Sequence, residues 1–182
     1  MTKAKSNVMT DFGAPIIVLV LICAIMSGLL ALTNSATAPI IAAAEEAAKQ
    51  AARLEVMPDA DDFSLVAVEG LPAAVTEVYE ATNGTGYVFS LKAQGYGGKG
   101  TLNMAVGIGM DGKITGVTVL SHSETVGLGS KITTDANFYG QFPGLDAAGA
   151  AAADTISGAT RSSNFYKAAI ADAFTAYGLV TG

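Results

Sequence analysis

TLNMAVGIGMDGKITGVTVL, Thr101–Leu120, decides the fold: two alternating runs flank Asp111-Gly112. Alternation of apolar and polar residues is the signature of a half-buried strand, and Asp-Gly between two such runs favours a tight hairpin. The same pattern extends upstream through Phe63–Glu69, Val75–Thr82 and Tyr87–Ala93, with Asn83-Gly84 as another tight-turn signal. Adjacent strands joined by short turns pair antiparallel. Downstream the pattern changes. Lys131–Phe142 reads as a short irregular helix, and Asn164–Tyr177 as a longer one whose apolar face is Phe165, Ala169, Ile170, Ala173, Phe174 and Tyr177. Ser162 or Ser163 stands where its N-cap belongs and Gly178 where its C-cap belongs. Strands first and helices after predict an α+β domain, an antiparallel sheet with helices packed on it.

Upstream of the sheet, Gly13–Leu32 is twenty residues without a charge, GAPIIVLVLICAIMSGLLAL. A helix of that length covers about 30 Å, the hydrocarbon thickness of a bilayer. Its eleven Ile, Val and Leu residues favour insertion by roughly 3 to 7 kcal/mol. Ala36-Thr37-Ala38 has the form of a signal-peptidase site. The apolar run exceeds the usual signal core, however, and Pro39 would directly follow the cleaved bond. The reading is therefore a retained anchor. Lys3 and Lys5 precede it, while Glu45 and Glu46 are among the first charges after it. The positive-inside tendency then keeps the N-terminus in the cytoplasm and sends residues 35–182 across the membrane.

Residues 40–57, IIAAAEEAAKQAARLEVM, lack Gly and Pro. Ile41, Ala44, Ala48, Ala51, Leu54 and Val56 approximate a helical period, and Glu45–Lys49 is an i,i+4 pair. Pro58 ends this segment, and the acidic turn Pro58–Asp62 leads into the sheet. Expected boundaries are 1–12 for a cytoplasmic N-terminus, 13–34 for a transmembrane helix, 35–57 for a connecting helix and 58–182 for the globular domain.

Residues 1–57 hold four acids and four bases, so the net charge of −6 lies entirely in residues 58–182, where twelve acids face six bases. Such a domain is a poor partner for nucleic acid. The lone cysteine, Cys23, makes no internal disulfide, zinc site or four-cysteine cluster and reads as a packing residue. No metal site is expected. His122, the only histidine, reads as structural or surface-lying. Gly95–Gly100 lies between strands and does not open a helix, so it is no dinucleotide fingerprint.

Two segments carry more. Asp154–Thr160, DTISGAT, resembles the D-x-x-S/T-G-A-T motif at which a flavin transferase joins FMN to a threonine in the FMN-binding domain family. Glu124–Gly129, ETVGLG, is similar to that family's E-T-x-G-L-G segment, with Val126 where proline is common. The Gly95–Gly98 element and the Asp111–Lys113 hairpin follow the family's order too. With one N-terminal anchor, the resemblance covers nearly the whole chain. It points to the G subunit of Rnf-type complexes, or the related C subunit of sodium-translocating NADH:quinone reductases.

The resemblance implies FMN esterified to Thr160. It implies that Ser157, Gly158, Ala159 and Arg161 surround the attachment point. It further implies that Glu124, Thr125, Leu128, Gly129, Lys131 and Tyr96 shape the flavin site. Gly129 is expected at the ring, and with φ > 0. A threonine hydroxyl is a weak nucleophile without an adjacent base, so Thr160 reads as the substrate of a transferase rather than as a catalytic residue. Standing just before a helix, it would place the phosphate at the positive dipole end. The expected role is an electron-transfer subunit of an ion-translocating ferredoxin:NAD oxidoreductase in the cytoplasmic membrane, without catalysis of its own. Its partners would be integral membrane and cluster-bearing subunits, membrane lipid and the maturing transferase. The alternatives are a quinone-reductase subunit, a stand-alone tethered flavin reductase, and a non-redox anchor.

Overall fold

The computed structural model describes residues 13–182. The expected cytoplasmic N-terminus, 1–12, with Lys3 and Lys5, lies outside the described residues. The chain divides into two compact units between Ala47 and Ala48.

The first unit is helical. Helix α1, Ala14–Val56, has no break at 34/35 or at Pro39. Ile16 to Ile41 expose large apolar side chains, and an 18-residue window reaches a mean hydropathy of 2.9, enough in length and composition to cross a membrane. Pro39 has no N–H for the Ser35 carbonyl. The hydroxyls nearby bind backbone as well, Thr33 Oγ1 donating to Leu29 O at 2.9 Å and Thr37 Oγ1 to Thr33 O at 3.0 Å.

In the second unit, β1 (Phe63–Val66), β2 (Val75–Ala81), β3 (Gly86–Gly95), β4 (Gly98–Gly109) and β5 (Ile114–His122) form one sheet in chain order. Every neighbouring pair is antiparallel. Consecutive residues of a strand point to opposite faces, and β3 and β4 are buried on both. Phe89, Leu91, Met104 and Val106 enter the main core, while Val88 and Ala105 enter a second one. The second core is closed by Ala52, Val56 and Met57 from the end of α1, where Thr115 Oγ1 donates to Val56 O at 2.5 Å.

The main core is closed by helix α5, Thr160–Thr181, through Tyr166, Ala169, Ile170, Ala173 and Ala176. This face differs from the expected one by the inclusion of Tyr166 and Ala176 and the absence of Phe165; Tyr166 is fully buried against Phe138 and Phe142 at ring-centroid distances of 5.2 Å. Helix α5 also extends beyond both expected ends. Its N-cap position is Ala159 and its C-cap Gly182. Ser162 and Ser163 are buried inside the first turn with their hydroxyls committed elsewhere, so neither caps, and Gly178 continues the helix. The irregular helix expected at Lys131–Phe142 is two single turns, α2 (Lys131–Thr134) and α3 (Ala136–Tyr139). They break at Asp135, whose carboxylate accepts from Asn137 N at 3.1 Å. A further helix, α4 (Ala147–Ala152), starts at Asp146, which caps Gly149 N at 2.7 Å.

Candidate functional site

Ile156–Thr160 is a tight turn leading from α4 into α5. Gly158 has φ 80°, a left-handed conformation that glycine adopts without steric cost. The buried Ser163 hydroxyl ties the turn together, accepting from Ile156 N at 3.1 Å and donating to Ala159 O at 3.0 Å. Ile156 and Ala159 face the core, which leaves Ser157, Gly158 and Thr160 at the surface. The approach to the turn is pinned as well. Gln141 exchanges two hydrogen bonds with the Asp154 backbone, at 2.9 and 3.1 Å, and Lys167 Nζ donates to Ala153 O at 2.6 Å.

Thr160 is the first residue of a 22-residue helix. The opening N–H groups of a helix have no intrahelical partners, and they carry the positive end of the dipole. Arg161 stands beside it with its guanidinium 5.4 Å from the Tyr96 ring and 5.7 Å from the Phe165 ring, within cation–π range. Phe165, expected on the core face, is instead turned to this stack. Tyr96 is 61% exposed at the tip of the β3–β4 hairpin.

The Glu124 loop lies against both elements. A loop carboxylate would ordinarily be solvated, but Glu124 is only 6% exposed. Its Oε1 accepts from Tyr96 N at 2.7 Å and its Oε2 from Ser162 Oγ at 2.5 Å. His122 Nδ1 accepts from Glu124 N at 3.2 Å. After Glu124 the chain turns tightly, with Leu128 N and Ser130 N both donating to Thr125 O at 3.2 Å and Gly127 N donating to Ser130 Oγ at 2.9 Å. Val126 and Leu128 point outward. Lys131 opens α2, its N–H on Leu128 O at 3.1 Å.

One expectation needs correction. The left-handed glycine of this loop is Gly127, with φ 77°, not Gly129. Gly129 is small for a different reason: a Cβ there would overlap Glu124 Oε2 and come within 2.7 Å of Ser162 Oγ. The structure thus brings Tyr96, Glu124, Gly129 and Arg161 together beside the Ser157–Thr160 turn. Thr125 and Lys131 contribute through backbone hydrogen bonds. Ser162 and Ser163 were missed as site residues, since two serines before an apolar helix look like caps.

The FMN-binding domain family matches residues 95–175, which contain this whole constellation, and the RnfG N-terminal region matches residues 17–56. The G subunit of the ion-translocating oxidoreductase complex of Methanosarcina acetivorans is 35% identical over 162 residues, 81% of this chain and 85% of that protein. The G subunit of the Na(+)-translocating ferredoxin:NAD(+) oxidoreductase complex of Acetobacterium woodii is 34% identical over 63% of this chain and 62% of its own length. The proton-translocating counterpart from Clostridium ljungdahlii is 29% identical over 68% of this chain and 64% of its own length. The chain belongs to the family of G subunits of ion-translocating oxidoreductase complexes, built on an FMN-binding domain.

Proposed function

We propose that this chain carries FMN joined through its phosphate to Thr160 Oγ, and that it transfers electrons within a membrane-bound ion-translocating ferredoxin:NAD oxidoreductase complex. The observation that carries the reading is the placement of Thr160. It is exposed, on the first turn of α5, two residues after the positive-φ Gly158 and next to Arg161. A phosphodiester keeps one negative charge, which suits the helix start and the guanidinium.

When bound, FMN supplies reversible electron uptake. The chain's own residues hold and orient it: the start of α5 and Arg161 at the phosphate, and Tyr96 with the Thr125–Gly129 loop toward the ring. Lys167, the nearest lysine in sequence, is engaged at Ala153 O and does not serve as a base for Thr160. Attachment therefore falls to a separate flavin transferase, which would act on a weakly nucleophilic hydroxyl.

Membership in the family supports assembly with integral membrane and cluster-bearing subunits. The quinone-reductase alternative has less support, because the relatives are named as G subunits. For topology we propose that the span at 13–34 leaves residues 1–12 in the cytoplasm and the flavin domain, 58–182, outside. Lys3 and Lys5 supply the charge bias, and reporter fusions after residue 60, active only outside the cytoplasm, check it.

Attachment is tested by producing the full chain with a flavin transferase. The expected result is a fluorescent band on a denaturing gel and a mass gain of one FMN minus water on the Thr160 peptide, both lost in Thr160→Ala. A covalently flavinylated Thr160→Ala protein overturns the assignment.

A further inference from the structure

Among the described residues, Glu124 is the only buried acidic side chain. Burying a carboxylate is costly unless donors satisfy it. Both of its oxygens are satisfied, and the donors belong to separate parts of the chain, the tip of the β3–β4 hairpin at Tyr96 N and the first turn of α5 at Ser162 Oγ. Two glycines make the slot. A Cβ on Gly95 would stand 2.6 Å from Glu124 Oε1, and one on Gly129 would overlap Oε2. The carboxylate thus occupies space that the absence of two side chains leaves open.

What hangs on this joint is the surface stack. Tyr96 is held through its own N–H, and Arg161, whose guanidinium reaches over the Tyr96 ring, is the neighbour of Ser162. Thr160 is one residue further back on the same helical turn. We propose that Glu124 is a positioning residue for the flavin: it sets the Tyr96 ring and the Arg161 guanidinium relative to Thr160 without itself touching the cofactor. The proposal rests on FMN being attached at Thr160.

The geometry distinguishes shape from charge. In Glu124→Gln the amide oxygen accepts from Tyr96 N–H, and the amide nitrogen donates to Ser162 Oγ, which rotates to accept. Both links survive while the charge is lost. Glu124→Ala loses both links. Ser162→Ala loses only the one to the helix.

The test uses the full chain made with a flavin transferase, with the visible circular dichroism of the attached FMN as one readout. The second readout is hydrogen exchange of the Tyr96 amide in chain made without the transferase. Glu124→Ala is expected to keep its covalent flavin, lose most of the induced dichroism and exchange the Tyr96 amide about tenfold faster. Glu124→Gln is expected to restore both readouts. Ser162→Ala is expected to weaken the dichroism while leaving Tyr96 exchange near wild type. Wild-type dichroism and exchange in Glu124→Ala overturn the proposal, as does a Gln variant that behaves like Ala. Should Glu124→Ala not fold, unchanged dichroism in Ser162→Ala overturns it. A wild-type chain without covalent flavin defeats the Thr160 assignment instead, and Tyr96 exchange then still decides whether the joint exists.

Discussion

Gly107 and Gly116 are paired directly across β4 and β5, and a side chain on either would run into the backbone of Val56. At Gly116 the added Cβ would lie 2.8 Å from Val56 Cα and 2.9 Å from its carbonyl oxygen. The last turn of α1 therefore seats in a notch made by two missing side chains, where Thr115 Oγ1 takes the Val56 carbonyl. Backbone cannot step aside as a flexible side chain can. Gly116→Ala is expected to lower stability by about 1–3 kcal/mol, the usual range for overpacking. Urea unfolding of the detergent-solubilised chain, followed by circular dichroism, measures this. A midpoint equal to wild type would show that the helix end gives way freely.

Ser163 supplies a sharper contrast. Its hydroxyl is fully buried and serves both the Ile156 N–H and the Ala159 carbonyl. Ser163→Ala strands the Ile156 N–H, while Ala159 O keeps the Ser163 N–H, at about 1–3 kcal/mol for an unsatisfied buried donor. Ser157→Ala, on the exposed side of the same turn, should stay within about 0.5 kcal/mol of wild type. Equal effects from the two substitutions would contradict the division of the turn into an inner and an outer side.

Asp172 gives the chain a pH signature. Partial desolvation on α5 raises its carboxyl above the ordinary aspartate value. A raised folded-state value means that the folded chain holds the proton more tightly than the unfolded one. The associated stability is full below the unfolded value and is lost as pH rises through the folded one. Asp172→Asn should therefore melt higher than wild type at neutral pH, and the gap should close as pH falls through the acidic range. Thermal melts across that range check it, and a gap that widens toward acid would contradict the sign.

The sheet was legible because alternation is a local signal. All five strands, Phe63–Val66 through Ile114–His122, form where alternating runs occur, with Asn83-Gly84 turning β2 into β3 and Asp111-Gly112 turning β4 into β5. Helix α4 was not legible, since an Ala/Gly run bears no apolar period. The candidate site divides in the same way. Its linear motifs were visible, but the burial of Glu124 was not, because its partners lie 28 and 38 residues away in sequence. Ser162 and Gly129 mislead as well. A serine in a first turn suggests a cap, and a glycine in a loop suggests a special φ. Here Ser162 binds a carboxylate 38 residues away, and Gly129 makes room for the same group.

The turn at Ile156–Thr160 has one more consequence. Its shape is held from behind, by Ser163, by the core around Ile156 and Ala159, and by Gln141 gripping Asp154. The side chains that do the holding, Ser163 and Gln141, lie outside Asp154–Thr160 itself. A free peptide with the same seven letters has nothing to keep Thr160 turned outward on the first turn of a helix. Whatever protein recognises that segment in this chain meets a finished surface rather than a string of residues, and a chain that has not yet assembled its core does not present it.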